Sequence, residues 1–293
     1  MSQSGVSPQH VFVGDVQGCA DEFDELLGRL RNEFGDEFIL HSVGDLVNRG
    51  PDNLRVLEGM RELVEAGRGR HVLGNHEIGL ISMLLGIRPV GERDTLGDVL
   101  GSEEAEDWLD WLRGRPVLEH GEIAGQAYVL VHASVNPDWS LADCAQSGAR
   151  VQARLGEANL EGVRDFLGQG LGEAEADSDR DLLGRLVSCR SVHEDAWSSK
   201  RPGKVPGEPW HHAWSRREHR YGVVYGHWAT QGLHLAQGLR GLDTGCVHHG
   251  RGRDGFLTAW LPGAPGESPG PSPFEVRAPV LWQVPARRRY YNY

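Results

Sequence analysis

Residues 11–18 read VFVGDVQG, an apolar run that stops at a Gly-Asp pair and turns through Gly18. Two later stretches repeat this arrangement, ILHSVGDLVNRG at residues 39–50 and HVLGNHE at residues 71–77. A short apolar run bounded by turn residues is typical of a buried strand. Ligands bind outside the carboxyl ends of strands in open α/β sheets, so the three strand ends predict one shared site. The side chains that these ends would bring there are Asp15, Asp45, Asn75 and His76.

Segments with helical spacing separate the predicted strands. Apolar residues recur with a helical period in residues 21–33 and 52–66, and an apolar helix is predicted from about Glu77 to Leu85. This β-α-β-α-β-α order predicts an α/β protein with a mainly parallel sheet. Two later predicted strands, residues 126–131 and 222–225, lead to His132 and His227.

The length of 293 residues predicts one large domain with an insertion. We expect residues 1–9 to be a disordered start and residues 10–261 to form the main domain. Within it, residues 156–220 are polar and are predicted to form a cap-like insertion of helices and loops. Residues 262–293 are rich in proline and end in a basic, aromatic stretch, which predicts a C-terminal tail.

The composition excludes several classes of protein. A net charge of −12 argues against DNA or membrane binding, which requires a basic surface. No apolar run approaches the roughly 18 residues that span a bilayer, and the first residues lack a signal-peptide pattern. The four cysteines are scattered, which suits a reduced cytoplasm. Only Lys200 and Lys204 of the 30 basic residues are lysines, a bias that we attribute to a GC-rich genome.

The polar residues at the predicted strand ends suit a metal centre. Carboxylate, carboxamide and imidazole ligands together favour borderline divalent ions such as Mn, Fe, Zn or Ni. Two such ions about 3.5–4 Å apart clamp the attacking and leaving oxygens of a phosphoryl displacement and lower the pKa of a bound water. A remaining histidine can protonate the leaving group. The planar fork of Arg49 can hold a phosphate through two contacts.

Five motifs occur in order, and together they resemble those of the calcineurin-like metallophosphoesterases, the superfamily of phosphoprotein phosphatases. They are GDVQG (14–18), GDLVNRGP (44–51), GNHE (74–77), VHA (131–133) and GHW (226–228). The resemblance covers about residues 10–260. The subfamily that the chain resembles most is that of the symmetrical diadenosine tetraphosphatases, or symmetrical bis(5'-nucleosyl)-tetraphosphatases. The segments that carry it are DLVNRGPDNL (45–54), VLGNHE (72–77), WLDWLRGRPVL (108–118), HASVNPDWSL (132–141), YGHWA (225–229) and GLDTGC (241–246).

This resemblance implies a fold, an activity and a set of residue roles. The fold would be a four-layer α-β-β-α sandwich, and the reaction would be hydrolysis of diadenosine tetraphosphate to two ADP. Two divalent metal ions are implied, with Mn²⁺ first and Co²⁺, Fe, Zn²⁺ or Ni²⁺ as alternatives. Matched by position, the metal ligands would be Asp15 and Gln17 for the first ion, Asp45 as the bridge, and Asn75, His132 and His227 for the second. His76 would be the general acid beside Asp45 and Arg49, and Arg49, Arg190 and Asn48 would lie at the substrate phosphate.

The chain departs from the superfamily pattern at two positions. Gln17 stands where the superfamily has a histidine, although some tetraphosphatases also carry Gln there. Asn48 stands where protein phosphatases have an aspartate that pairs with the catalytic histidine. A neutral Asn cannot raise the pKa of His76 as a carboxylate would. Asn48 therefore favours phosphoanhydride cleavage, whose leaving group needs little protonation, over phosphoserine hydrolysis.

Several alternatives remain open at this stage. The expected partner is a dinucleoside polyphosphate substrate, and capped RNA ends offer the same anhydride chemistry. A protein Ser/Thr or Tyr phosphatase of the same fold is the main alternative. A non-catalytic phosphate-binding homologue with a degraded first metal site is the second, and Gln17 motivates it. The presence of the other predicted ligands argues against this second alternative.

Overall fold

The structure is a computed structural model that describes residues 7–170, 174–267, 270, 272–275 and 278–290. Residues 1–6 of the predicted disordered start lie outside these described residues. The strands are β1 (Gln9–Val13), β2 (Phe38–Ser42), β3 (Gly69–His71), β4 (Leu118–Ile123), β5 (Gln126–Val131), β6 (Ser191–His193), β7 (Ala196–Ser198), β8 (Glu208–Pro209), β9 (Tyr221–Tyr225), β10 (His234–Ala236), β11 (Leu239–Gly241), β12 (Phe256–Trp260) and β13 (Leu281–Pro285). The helices are α1 (Ala20–Phe34), α2 (Asn53–Glu65), α3 (Asn75–Leu84), α4 (Gly97–Leu100), α5 (Ala105–Arg113), α6 (Leu141–Leu155), α7 (Leu160–Gly168), α8 (Asp179–Ser188) and α9 (Trp210–Ser215), with a 3₁₀ turn at Cys246–His248.

Within the described residues the strands form two five-stranded sheets and one three-stranded sheet. The first sheet has the order β13-β12-β1-β2-β3, and the second has the order β10-β11-β9-β5-β4. Strands β1, β2 and β3 run parallel, as predicted, but β12 and β13 join them antiparallel. The prediction of a mainly parallel sheet is therefore wrong for half of this sheet. The cause is that its other edge comes from the C-terminal part of the chain, where Trp260 lies opposite Phe12.

Both faces of the central strands are buried, which is why they read as continuous apolar runs. Val11 and Val13 of β1 pack in the cluster that contains the apolar side chains of α1 and α2. Phe12, between them, points the other way and meets Tyr128 of β5 edge-on, with ring centroids 5.3 Å apart. The second cluster thus lies between the two sheets. Helices outside both sheets complete the four-layer α-β-β-α sandwich and confirm the predicted fold class.

The strand directions place six carboxyl ends at one edge of the sandwich. In the first sheet these ends belong to β1, β2 and β3, which are mutually parallel. In the second sheet they belong to β5, β9 and β11, because β9 pairs parallel with both of its neighbours. Backbone hydrogen bonds join adjacent ends, such as Gly226 N to His132 O at 2.9 Å. Side chains from distant parts of the sequence therefore meet at this edge.

The insertion and the tail contain structure that the sequence did not reveal. The predicted insertion contains helices, as expected, namely α7, α8 and, near its C-terminal end, α9. The same region also holds the small sheet of β6, β7 and β8, which was not predicted. In the predicted tail, β13 pairs with β12, and the Arg287 amide and the Tyr290 hydroxyl both donate hydrogen bonds to Glu22. The proposed domain boundaries stay a prediction.

No helix in the described part of the chain has the length and apolar character needed to cross a membrane.

Candidate metal centre and active site

Backbone strain is concentrated at the predicted site. Nine non-glycine residues of the described chain have a positive φ, a region that side chains other than glycine rarely adopt. Five of the nine are predicted site residues: Gln17 (φ 49°), Asp45 (51°), Asn48 (75°), Arg49 (71°) and His227 (70°). Such conformations cost about 1–3 kcal/mol each and persist where the surroundings enforce them, typically at functional sites. The backbone at these strand ends therefore adopts unfavourable local conformations, which orient the side chains toward the site.

Two of the motif glycines are explained by close approach of a carboxylate. A Cβ atom on Gly74 would lie 2.2 Å from Asp45 Oδ1, and one on Gly226 would lie 2.0 Å from Asp15 Oδ1. Both distances are far below van der Waals contact, so any side chain would displace the carboxylate. The Gly-Asn-His and Gly-His motifs therefore begin with glycine because the aspartates of neighbouring strand ends occupy that space.

Asp15 and Asp45 lie side by side at the ends of β1 and β2. Both are almost completely buried, with exposures of 4% and 2%. Both oxygens of Asp15 accept the backbone N–H of His227 at 3.2 Å, and Asp45 Oδ1 accepts the N–H of His76 at 2.9 Å. Ligand atoms of Asp15, Asp45 and His132 all lie within 4.8 Å of one another. Two buried carboxylates and an imidazole at this spacing make a cation site.

Two histidines at the site each have one ring nitrogen held by a backbone carbonyl. His132 Nδ1 lies 3.0 Å from the Val43 carbonyl, and His227 Nε2 lies 3.1 Å from the Ser188 carbonyl. A carbonyl oxygen only accepts hydrogen bonds, so these ring nitrogens carry the proton. The nitrogens left to bind a metal ion are therefore His132 Nε2 and His227 Nδ1. Without a cation, burial lowers the pKa of His227 well below its usual value, whereas for His132 burial is outweighed by the charge of Asp45, which raises the pKa. Anchoring one imidazole nitrogen on a backbone carbonyl is the usual support of a metal-binding histidine.

The carboxylates repel each other in the absence of a cation. Burial raises the pKa of Asp15 well above its usual range, and the charges of Asp243 and Asp45 raise it further. Burial likewise raises the pKa of Asp243 to about 6, with a contribution from Asp45. For Asp45 the penalty of burial is outweighed by His132 and His76, which hold its pKa below the usual value. A cluster of this kind is stabilised by bound positive charge.

Asn75, Gln17 and the two arginines complete the site. His132 Nε2 lies 3.2 Å from Asn75 Oδ1 and 3.4 Å from Asp45 Oδ2, which brings the carboxamide to the same point. Gln17, Asn75, His76, Arg49 and Arg190 all line one cavity of about 620 Å³. Arg190 is fixed there by hydrogen bonds from its guanidinium to the carbonyls of Ser199 (2.9 Å) and His227 (3.2 Å).

Asn48 differs from the other predicted residues. It is 2% exposed and is not among the residues that line the cavity. Its Oδ1 accepts the backbone N–H groups of Arg49 (2.8 Å) and Thr95 (3.1 Å), and its Nδ2 donates to Asp94 Oδ1 at 2.8 Å. Asn48 thus supports the turn that carries Arg49. Its predicted contact with the substrate phosphate stays a prediction.

Two further residues of the site carried no role in the sequence analysis. Asp243 follows β11 and lines the cavity, and its charge acts directly on Asp15. The signal was present, because Asp243 also follows a strand within the GLDTGC segment. Glu77 is fully buried behind Asp45. A glutamate at the third position of a helix is part of the capping-box signature, in which its side chain accepts backbone N–H groups at the helix start.

Glu77 holds together the two turns that carry Asp45 and Asn75. Its Oε2 accepts the N–H groups of Asp45 (2.9 Å) and Gly74 (2.7 Å). Its Oε1 accepts those of Leu46 (2.7 Å) and Val47 (3.2 Å). One carboxylate therefore satisfies four backbone donors and fixes the distance between two strand ends.

Glu77→Gln is expected to lower the free energy of unfolding by about 3 kcal/mol, since one oxygen is replaced by an N–H group that faces two buried donors. Denaturant unfolding of the metal-loaded protein measures the change. Glu58→Gln, at an exposed position of α2, is the matched control and should change stability by less than about 0.5 kcal/mol. Equal stability of the two variants would contradict the supporting role of Glu77.

The donor set fits divalent metal ions. It combines buried carboxylates, carboxamide oxygens and two histidines whose second nitrogens are anchored, at the edge where six strands end. Fold and site together define a metal-dependent hydrolase of the phosphoesterase type.

Comparison with known proteins gives the family. The family model described as "Calcineurin-like phosphoesterase" matches residues 10–243. Three bacterial proteins named "Bis(5'-nucleosyl)-tetraphosphatase, symmetrical" are similar over most of their length. That of Ralstonia nicotianae is 35% identical over 83% of this chain and 87% of its own. Those of Nitrosospira multiformis (34%, 81% and 88%) and Methylococcus capsulatus (33%, 81% and 87%) follow.

A solved structure supports the fold. A crystal structure provisionally described as a diadenosine tetraphosphatase superimposes with a TM-score of 0.61 at 22% identity, covering 97% of this chain and 96% of its own. The chain belongs to the calcineurin-like phosphoesterases and, within them, to the family of the symmetrical bis(5'-nucleosyl)-tetraphosphatases. The resemblance found in the sequence is thereby confirmed.

Proposed function

We propose that this protein hydrolyses dinucleoside tetraphosphates symmetrically, converting diadenosine tetraphosphate to two ADP. One observation carries the proposal: the predicted metal ligands lie together on one side of the sandwich, with Arg49, His76 and Arg190 beside them. Most of these residues line a single cavity. The names of relatives that are 31–35% identical over about four fifths of the chain support the choice of substrate.

The proposed metal ligands are those expected from the sequence. Asp15 and Gln17 would hold the first divalent ion, and Asn75, His132 and His227 the second. Asp45 would bridge the two, in keeping with its place between Asp15 and His132. Asp243 lies close enough to Asp15 to add negative charge near Gln17, the position at which the superfamily has a histidine. A pair of divalent ions in such a site activates water and offsets charge on the phosphoryl oxygens, and Mn²⁺ is our first choice.

The residues of the chain orient the substrate and manage its charge. Arg49, in the turn after β2, and Arg190, between α8 and β6, both line the cavity and would clamp the oxygens of the reacting phosphate. Water attacks one of the two middle phosphorus atoms, and the bond breaks between that phosphorus and the oxygen that joins it to the other middle phosphorus. ADP leaves with this oxygen, and His76 would donate the proton that it takes up. His76 Nε2 lies 3.7 Å from Asp45 Oδ2, which orients the imidazole toward the same point.

Product analysis tests the proposal directly. The purified protein is incubated with Mn²⁺ and diadenosine tetraphosphate, and in parallel with a phosphoserine peptide. We expect ADP as the sole nucleotide product and a slow reaction with the peptide. ATP plus AMP would show that an outer phosphoanhydride bond is cleaved and would contradict symmetrical cleavage. Fast peptide dephosphorylation with an untouched dinucleotide would make the protein phosphatase alternative correct.

A further inference from the structure

The only two lysines of the chain are Lys200 and Lys204, and both line the active-site cavity. The genome bias to which we attribute the rarity of lysine does not account for the position of both lysines at one site. They belong to a short segment, residues 199–204, which we call the basic loop. Arg201 of the same loop lines the cavity with them, and all three side chains are exposed. The basic loop thus adds three positive charges to a cavity that already contains Arg49 and Arg190.

The basic loop is held in place by the active site itself. The Arg190 guanidinium donates a hydrogen bond to the Ser199 carbonyl at 2.9 Å, and the Ser191 hydroxyl donates one to the Lys200 carbonyl at 2.8 Å. The Lys204 amide closes a turn onto the Arg201 carbonyl at 3.1 Å. The backbone is therefore anchored while the charged ends extend into the cavity.

The cations of the basic loop face the cavity without carboxylate partners. Of the side chains that the structure describes, no carboxylate forms an ion pair with Lys200, Arg201 or Lys204. This contrasts with Arg216 and Arg217 nearby, which pair with Glu208 and Asp138. The positive charge of Arg201 also contributes, after burial, to lowering the pKa of Arg190, which shows that the cations are close enough to repel one another. An anion with several charges would relieve this repulsion.

A second cavity continues the first beyond the basic loop. It has a volume of about 560 Å³ and shares Arg201, Lys204, Trp228 and Thr230 with the first. Trp228 is half-buried, and its indole N–H donates to Thr230 Oγ1 at 2.9 Å, which fixes the ring at the junction. Each cavity falls within the roughly 300–1,000 Å³ typical of ligand sites. The pair suits a ligand with a charged centre and an aromatic end.

We propose that the basic loop and Trp228 form the subsite for the half of the substrate beyond the cleaved bond, with the lysines on its phosphates and the indole against its base. This inference rests on the proposed function and adds to it the residues that select a long polyphosphate over a short phosphoester. Arg49 and Arg190 would contact the reacting phosphate, whereas Lys200, Arg201 and Lys204 would contact the phosphates of the departing nucleoside diphosphate.

The test compares selectivity in Lys200→Ala/Lys204→Ala with the unaltered protein. We expect the ratio of kcat/KM for diadenosine tetraphosphate to that for bis(p-nitrophenyl) phosphate to fall by about tenfold or more, mainly through a higher KM for the dinucleotide. The aryl ester should be little affected, because it has no phosphate beyond the reacting one that could reach the loop. Lys200→Arg/Lys204→Arg should retain most of the ratio. Arg220→Ala, at an exposed position away from the cavity, is the control for loss of one surface charge.

Binding of ADP gives a readout that does not depend on turnover. Calorimetry of the metal-loaded protein should show ADP binding weakened about tenfold in the double lysine variant and also in Trp228→Leu. The ADP affinity of the unaltered protein should fall with added salt more steeply than that of the lysine variant. An unchanged selectivity ratio and ADP affinity would overturn the subsite while leaving the proposed function intact. If the unaltered protein cleaves the aryl ester but not the dinucleotide, the proposed function fails, and the subsite with it.

Discussion

Asp45→Asn is expected to lower kcat/KM for diadenosine tetraphosphate by at least about a thousandfold, because it removes the central charge of the site while leaving its shape intact. The substituted amide can still accept the His76 N–H through its oxygen, so the turn itself should survive. What is lost is the anion between Asp15 and His132, where the ligand atoms lie within 4.8 Å of one another. A neutral amide is a much weaker bridging ligand than a carboxylate, so metal content should fall together with activity.

Elemental analysis after gel filtration, combined with steady-state kinetics, measures this result. The unaltered protein should also unfold at a lower temperature after chelation, because bound ions stabilise the folded state by mass action. In Asp45→Asn this effect of the chelator should be small. Asp15→Asn should lose about one ion rather than two, and Asp165→Asn, at an exposed position, should behave as the unaltered protein. Full metal content with normal turnover in Asp45→Asn would overturn the assignment of the bridge.

The position of the site could be predicted from the sequence because each ligand follows a strand. Asp15, Asp45 and Asn75 follow three parallel strands, and parallel strands present their carboxyl ends at one edge. His132 and His227 follow β5 and β9, which are parallel in the second sheet. The sequence does not state that the two sheets stack with these edges aligned. That follows from the apolar faces, such as Phe12 against Tyr128, which pair only in the folded protein.

The residues and elements that were missed depend on long-range contacts. Among the described residues, strand β13 pairs with β12 alone, across a proline-rich connection, so no local pattern marks its partner. Strands β6, β7 and β8 are two or three residues long, too short to show alternation. Glu77 acquires its role through backbone N–H groups 30 to 32 residues earlier, which no spacing rule reveals. Lys200 and Lys204 reach the site on a loop whose backbone Arg190 and Ser191 hold there.

His76→Ala is expected to reduce turnover by an amount that depends on the leaving group. General acid catalysis contributes about 10²–10⁴-fold, and most when the leaving oxygen is strongly basic. ADP leaves through a phosphate oxygen whose second pKa is about 6, so the loss on diadenosine tetraphosphate should stay near the lower end of this range. In a serine or phenyl phosphate the leaving oxygen is far more basic, so the loss of turnover on these substrates should approach the upper end of the range. Single-turnover rates on a series of aryl phosphates of graded leaving-group pKa measure the difference.

The environment of His76 offers a matched test of the same argument. In the structure the carboxylate of Asp94 bonds to Asn48, and burial together with the nearby Arg49 charge keeps the pKa of His76 below its usual value. Exchanging the two groups in Asn48→Asp/Asp94→Asn preserves their mutual hydrogen bond and puts the negative charge at position 48. A carboxylate there should raise the pKa of His76 and increase phosphoester turnover relative to anhydride turnover. If His76→Ala slows all leaving groups equally, and the exchange leaves the ratio of the two substrate classes unchanged, His76 is not the general acid and the neutral Asn48 does not select the substrate.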